Sequence, residues 1–62
     1  MKETYKVLIQ FSGETTYHEY MHGLEEDAAN VVGLAVLRTR EEITDVKIQK
    51  EPTLQDILRK IL

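Results

Sequence analysis

The chain contains no cysteine and no tryptophan, and its 62 residues include one proline and three glycines. Without cysteine it can form neither disulfide bonds nor thiolate metal sites, two common means of stabilising small domains. A chain of this length buries only about 60% of its unfolded surface. One domain over residues 1–62 must therefore rely on good packing or on self-association. The lack of cysteine is also consistent with a cytoplasmic location.

Long apolar runs and an excess of positive charge are missing as well. No run of about 18 apolar residues occurs, so we expect no membrane span, and the N-terminus lacks the basic-then-apolar order of a signal peptide. With 8 lysines and arginines against 11 acidic residues, the net charge is −3. Because affinity for nucleic acid depends on neutralising phosphates with cations, we do not expect direct nucleic-acid binding.

Alternating apolar and polar side chains predict three strands. Apolar residues occupy every second position from Tyr5 to Phe11, which is the period of a β-strand. A turn signal follows at 12–14, and a second segment rich in Thr and Tyr completes a hairpin over about 4–22. The alternating segment 43–50 predicts a third strand that ends before Pro52.

Two further segments have helical patterns. The first, about 24–40, begins with acidic residues and ends with arginines, charges that suit the two ends of the helix dipole. No charged residue occurs over 31–37, so we expect the C-terminal segment or another subunit to cover a second side of this helix. The second helix is predicted over about 53–62, after a capping box of Thr53 and Asp56. Its apolar stripe consists of Leu54, Ile57, Leu58, Ile61 and Leu62.

These elements predict an α+β fold with the order ββαβα. A three-stranded, mainly antiparallel sheet packs on one long helix, and a short amphipathic helix follows at the C-terminus. The sequence is equally compatible with packing of this last helix on its own sheet and with its docking on a second chain. The long helix is apolar on nearly all sides over 31–37, which favours a homodimer over a monomer.

Both histidines and two of the three tyrosines lie within residues 15–22. On an extended strand, His18 and His22 would be about 13 Å apart. One metal ion cannot bind both, since its bonds to histidine nitrogen are about 2.0–2.1 Å long. A general base also needs a nucleophile and an orienting partner, and neither accompanies these residues. We therefore expect no metal, no cofactor and no catalytic residue, and we predict that the chain is not an enzyme.

The length of the hairpin loop decides which face of the second strand is exposed. The groups that would share the apolar face of the first strand are Tyr17, Glu19 and Met21 for a three-residue loop, and His18, Tyr20 and His22 for a loop of two or four residues. We favour the three-residue loop, because Tyr and Met are buried more readily than His. The candidate partner-binding residues that it exposes are Leu8, His18, Tyr20 and His22.

Apolar residues of the two helices extend this set of candidates. They are Leu34 and Leu37 of the long helix, with Leu58 and Leu62 of the C-terminal helix. The pattern predicts a small non-enzymatic protein-binding module, such as a phage or mobile-element accessory protein acting on a host protein. Its partner would be a protein whose identity the sequence does not specify.

The run Tyr17-His18-Glu19-Tyr20-Met21-His22-Gly23-Leu24 resembles a motif of the small uracil-DNA glycosylase inhibitors of Bacillus podophages. Those proteins carry Tyr-x-Glu-Tyr-x-x-Gly-Leu where a second strand leads into a helix. The resemblance implies a ββαβ arrangement, a dimer, and mimicry of DNA that captures a hydrophobic element of the enzyme's DNA-binding groove. This chain lacks the family's aromatic anchor near Ala29 and has an additional helix after Pro52. From the resemblance itself, the alternative function is a DNA-mimic inhibitor of a DNA-processing enzyme such as uracil-DNA glycosylase.

Overall fold

The computed structural model describes residues 3–61. The elements follow the order ββαβα: β1 (Tyr5–Phe11), β2 (His18–Leu24), α1 (Glu26–Thr39), β3 (Ile43–Lys50) and α2 (Leu54–Ile61). The strands form one antiparallel sheet in the order β2-β1-β3, so β1 is central and β2 and β3 are its edges. The predicted α+β fold and its order of elements are confirmed.

The hydrophobic core lies between α1 and one face of β1 and β3. Its buried residues are Val7 and Ile9 of β1, Ala29 and Val36 of α1, and Ile43 of β3. Val7 is fully enclosed, with 0% of its surface exposed. The alternating pattern of β1 thus places one set of side chains under the helix, as a half-buried strand requires.

Gly33 allows α1 to approach β3 closely. A Cβ atom at Gly33 would lie 3.0 Å from Cγ1 of Val46 and 3.1 Å from Cδ1 of Ile48. Glycine within a helix costs about 1 kcal/mol relative to alanine. The close contact of the helix with these two β3 side chains is the structural reason for a glycine at this position.

The connection between β1 and β2 is longer than predicted. It covers residues 12–17, so β2 begins at His18 rather than at residue 15. The backbone N–H of Glu14 donates to the carbonyl of Phe11 at 3.1 Å, and Gly13 has φ 84°. This combination is a β-turn whose third position needs positive φ, which glycine adopts without strain.

The predicted register of β2 is wrong at Glu19 and Tyr17. Glu19 pairs with Leu8, and His18 pairs with Ile9. Glu19 therefore lies on the face of the sheet opposite α1, while His18 lies on the α1 face. Tyr17 also lies on the opposite face, because its hydroxyl donates a hydrogen bond to Asp45. Met21 alone keeps its predicted face, since it pairs with Val7, but its side chain is 40% exposed rather than buried.

Two bulges in β2 account for this error. Tyr20 is an extra residue between the partners of Val7 and Leu8. A second irregularity lies between Met21 and Leu24, where Gly23 has φ 70°. Each bulge shifts the alternation by one residue and so exchanges the two faces of the strand. The strand also continues past Gly23, so the predicted start of α1 at Leu24 is wrong and Glu25 is its N-cap.

Helix α2 has the predicted cap but does not pack on the sheet. The backbone N–H of Thr53 donates to Oδ2 of Asp56 at 3.0 Å, and the backbone N–H of Asp56 donates to Oγ1 of Thr53 at 3.2 Å. Hydrogen bonds from the backbone and side chain of Thr53 lower the pKa of Asp56. None of the described residues of α2 is buried. The cap therefore defines the start of the helix, while its apolar side remains uncovered.

Candidate protein-binding surfaces

A shallow apolar groove of about 190 Å³ runs between α1 and β3. Its lining residues are Asn30, Gly33, Leu34, Leu37, Val46 and Ile48. Leu34 is 54% exposed and Leu37 is 43% exposed, although both lie beside the core. The structure thus brings the two predicted α1 candidates together with two partly buried β3 side chains, Val46 and Ile48, that pack against the core.

The outer edge of β3 borders this groove. The backbone N–H of Glu51 donates to the carbonyl of Thr4 at 2.8 Å, which identifies the β3 positions that face β1. Because backbone groups of an antiparallel strand alternate in direction, those of Val46, Ile48 and Lys50 point away from β1. Within residues 3–61 no strand pairs with this edge. The Val46 N–H donates to the Asp45 carboxylate, and the remaining outward backbone groups of this edge face no other strand of residues 3–61.

The second apolar surface is the stripe along α2. Its exposed fractions range from 44% at Ile57 to 74% at Ile61, with Leu54 and Leu58 between them. Arg59 and Lys60 follow in the last turn, where cations suit the helix dipole. The predicted candidate Leu58 belongs to this stripe, and the predicted candidate Leu62 lies outside the described residues. The stripe has the spacing of a helix that docks into a groove.

The predicted patch of histidines and Tyr20 beside Leu8 is not formed. His18 lies on the α1 face, where its Nε2 is 2.9 Å from Oε1 of Glu14 and its ring centroid is 5.6 Å from that of Phe11. Leu8 is half-buried on the other face. Tyr20 occupies a bulge and is 39% exposed, and His22 is exposed near the second bulge. The interruption of the strand separates residues that simple alternation had grouped.

Sequence reasoning missed a polar cluster on the sheet face opposite α1. The Tyr17 hydroxyl donates to Oδ2 of Asp45, and Nζ of Lys47 lies 4.3 Å from the centroid of the Tyr17 ring. The hydrogen bond raises the pKa of Tyr17 and lowers the pKa of Asp45, because it favours the neutral phenol and the ionised carboxylate. Alternation along β3 puts Asp45 and Lys47 on one face, but the position of Tyr17 depends on the β2 register.

Acidic side chains gather at the end of the sheet near the start of α1. A depression of about 350 Å³ is lined by Glu3, Tyr5, Glu25, Glu26 and Asp27. Partial burial, and then the neighbouring Glu26 carboxylate, raise the pKa of Tyr5. This end of the molecule therefore presents several carboxylates around one aromatic ring.

Residues 3–61 contain neither a cluster of metal-binding side chains nor a helix that could span a membrane. Over this range no group of three or more His, Cys, Asp and Glu side chains is arranged to hold a metal ion. None of the helices described is both long enough and apolar enough to cross a membrane. Comparison of the chain with protein-family models, curated proteins and solved structures finds no match.

Proposed function

We propose that this chain is a small non-enzymatic protein-binding module that docks α2 into an apolar groove of a partner protein. The observation that carries the proposal is the exposed stripe of α2, which is capped and regular but uncovered by its own sheet. Such a module would suit a phage or mobile-element accessory protein that acts on a host protein in the cytoplasm.

The energetics of α2 favour docking. A helix of 8 residues is marginal in water by itself. Burial of one Leu or Ile side chain stabilises a complex by about 1.5–3 kcal/mol before entropic costs. Leu54, Ile57, Leu58 and Ile61 recur at the i, i+3, i+4, i+7 spacing by which helices are recognised in grooves.

The charges beside α2 indicate the kind of groove that it would enter. Lys6, Lys50, Arg59 and Lys60 line a cleft of about 590 Å³ next to the helix, together with Glu51 and Asp56. Lysines and arginines at the rim of an interface favour partners whose facing rim is acidic. The partner is therefore proposed to have an apolar groove flanked by Asp and Glu.

Affinity capture with two matched variants tests this proposal. Leu58→Glu places a charge in the apolar stripe, and Gln55→Glu places the same charge on the exposed polar side of α2. We expect a host protein to be retained by the wild type and by Gln55→Glu and to be lost with Leu58→Glu. Retention by all three proteins, or by none, would contradict docking through α2.

A second function, inhibition of a DNA-processing enzyme by DNA mimicry, is favoured by the acidic end of the molecule. The carboxylates of Glu3, Glu26 and Asp27 surround Tyr5 there. Carboxylates in this position could take the place of DNA phosphates in a basic groove. The resemblance of residues 17–24 to uracil-DNA glycosylase inhibitors points to the same function.

A uracil-excision assay distinguishes this second function. If it is correct, added protein slows cleavage by uracil-DNA glycosylase, and the double variant Glu26→Gln, Asp27→Asn inhibits less well. Leu58→Glu should inhibit as well as the wild type, since α2 is outside the acidic surface. Unchanged cleavage in a large excess of the wild-type protein would eliminate mimicry of this enzyme's substrate.

A further inference from the structure

We infer that the free edge of β3, with the groove beside it, binds a second copy of this chain. The two β3 strands would pair antiparallel across a two-fold axis and join the two sheets into one of six strands. This interface goes beyond the proposed function, because it uses α1 and β3 and leaves α2 available for another protein.

Only one of the two sheet edges is regular enough to pair. Edge β2 is interrupted by bulges at Tyr20 and near Gly23, and bulges protect an edge against further strands. Edge β3 has its single irregularity at Thr44, between the partners of Gln10 and Phe11. Over 45–50 its pairing with β1 is uninterrupted, so its outward backbone groups form an even row.

The position of α1 suits this pairing. Because α1 packs across β1 and β3, the helices of two copies would be separated by about two strand spacings, roughly 9.6 Å. Packed helices are typically about 8–10 Å apart. Pairing of the strands would therefore bring the exposed Leu34 and Leu37 side chains of the two copies into contact.

Charge complementarity selects the register. When Val46 pairs with its own copy, Asp45 of each chain lies opposite Lys47 of the other, and opposite charges in such pairs are stabilising. A shift of one pair in one direction places Lys47 opposite Lys47, which is repulsive. A shift of one pair in the opposite direction places Asp45 opposite Asp45, again a like-charge pair. The register centred on Val46 is the one that pairs both charges favourably. It sets residues 45–47 of the two copies opposite each other, with Ile48 of each copy opposite the irregularity at Thr44 of the other.

The helix contacts agree with this register. Gly33 lies against both Val46 and Ile48, and α1 leads into β3 through residues 40–42, so the two elements run in roughly opposite directions. At about 1.5 Å per residue, the midpoint between Leu34 and Leu37 lies roughly 4 Å further along α1 than Gly33. Because α1 and β3 run in opposite directions, this displacement is toward Val46 rather than toward Ile48. A two-fold axis at Val46 would thus place Leu34 of one copy near Leu37 of the other.

The chain also exposes more surface than a compact monomer of its size. A compact monomer of 7.2 kDa is expected to expose about 4,100 Å², whereas this chain exposes 4908 Å². The excess, roughly 800 Å², is similar to the area that each partner buries in a standard interface. Part of it belongs to α2, and the remainder includes the groove beside β3.

Charge reversal with exchange tests the interface and its register together. Asp45→Lys gives a chain with Lys at both 45 and 47, and Lys47→Asp gives a chain with Asp at both positions. We expect each variant alone to dissociate at a concentration at least about tenfold higher than the wild type, since two pairs become repulsive. An equimolar mixture should regain twice the chain mass, because every facing pair is then opposite in charge.

The control is Glu19→Lys, which makes the same charge change on the β2 edge. Sedimentation equilibrium gives the masses, and circular dichroism shows whether each variant is folded, since Asp45 and Lys47 also contact Tyr17. We expect Glu19→Lys to associate like the wild type. A wild-type chain that stays monomeric at millimolar concentration, a Glu19→Lys variant that dissociates as readily as Asp45→Lys, or a mixture that does not associate would overturn the inference. None of these outcomes depends on α2 or its partner.

Discussion

Removal of residues 53–62 should leave the remaining domain folded. The described apolar side chains of α2 are 44–74% exposed, and none of its described residues is buried. If α2 covered the sheet, its four Leu and Ile side chains would contribute about 6–12 kcal/mol of gross burial energy. A domain of this length has a free energy of unfolding of roughly 3–9 kcal/mol. Loss of a lid would therefore unfold the domain.

Because α2 lies outside the core, we predict instead that the free energy of unfolding changes by less than about 1 kcal/mol. The melting temperature would then fall by no more than about 4–8 °C. The assay is thermal unfolding followed by circular dichroism, with both proteins at the same chain concentration because association contributes to stability. Loss of the cooperative transition in the truncated chain would refute the placement of α2 outside the core.

Three other predictions concern the core, the helix contact and the cap. Val7→Ala should lower the free energy of unfolding by about 2–3 kcal/mol. Val31→Ala, at a position 66% exposed, should change it by less than about 0.5 kcal/mol. Equal losses of the two variants in urea titrations would contradict the placement of the core. Gly33→Ala should destabilise the protein by up to about 2 kcal/mol, because overpacking costs about 1–3 kcal/mol and the gain in helix propensity is about 1 kcal/mol; a stabilised variant would show that α1 is not held against β3. Because the pKa of Asp56 is lowered in the folded chain, its contribution to the stability of α2 is complete above the ordinary aspartate range. That contribution is lost as the pH falls through the lowered pKa, so the Cα chemical shifts of α2 should move toward coil values in acid. If Asp56→Asn showed the same titration step, the step would belong to another group.

Several elements could be predicted because their signals come from neighbours along the chain. The alternation from Tyr5 to Phe11 identifies a strand with one buried face. The Thr53 and Asp56 side chains form the cap that their spacing predicts. In both cases residues two to four positions apart carry the information, so no knowledge of tertiary contacts is needed.

The register of β2 could not be predicted in the same way. A bulge at Tyr20 depends on how β2 fits against β1, and only the three-dimensional contacts of both strands decide it. One extra residue was enough to move His18 to the α1 face and Glu19 to the other. The candidate surface on β2 was therefore the least reliable part of the sequence interpretation.

The residues of the uncovered surfaces could be predicted from the sequence, but their exposure and their grouping in the fold could not. The apolar stripe of α2 would have the same spacing in a lid and in a docking helix, so its exposure became evident only from the structure. Leu34 and Leu37 are candidates from the sequence because they are apolar residues of the uncharged stretch 31–37 in the long helix. Their grouping with Val46 and Ile48 depends on the close approach of α1 at Gly33.

The central claim is that this chain acts through surfaces it leaves uncovered, beginning with the edge of β3. The most direct test is the mass of the wild-type chain in solution, measured by light scattering over a range of concentrations. The account predicts a mean mass that rises with concentration toward twice the chain mass of 7.2 kDa. A mass that stays at 7.2 kDa at the highest concentration reached would contradict it.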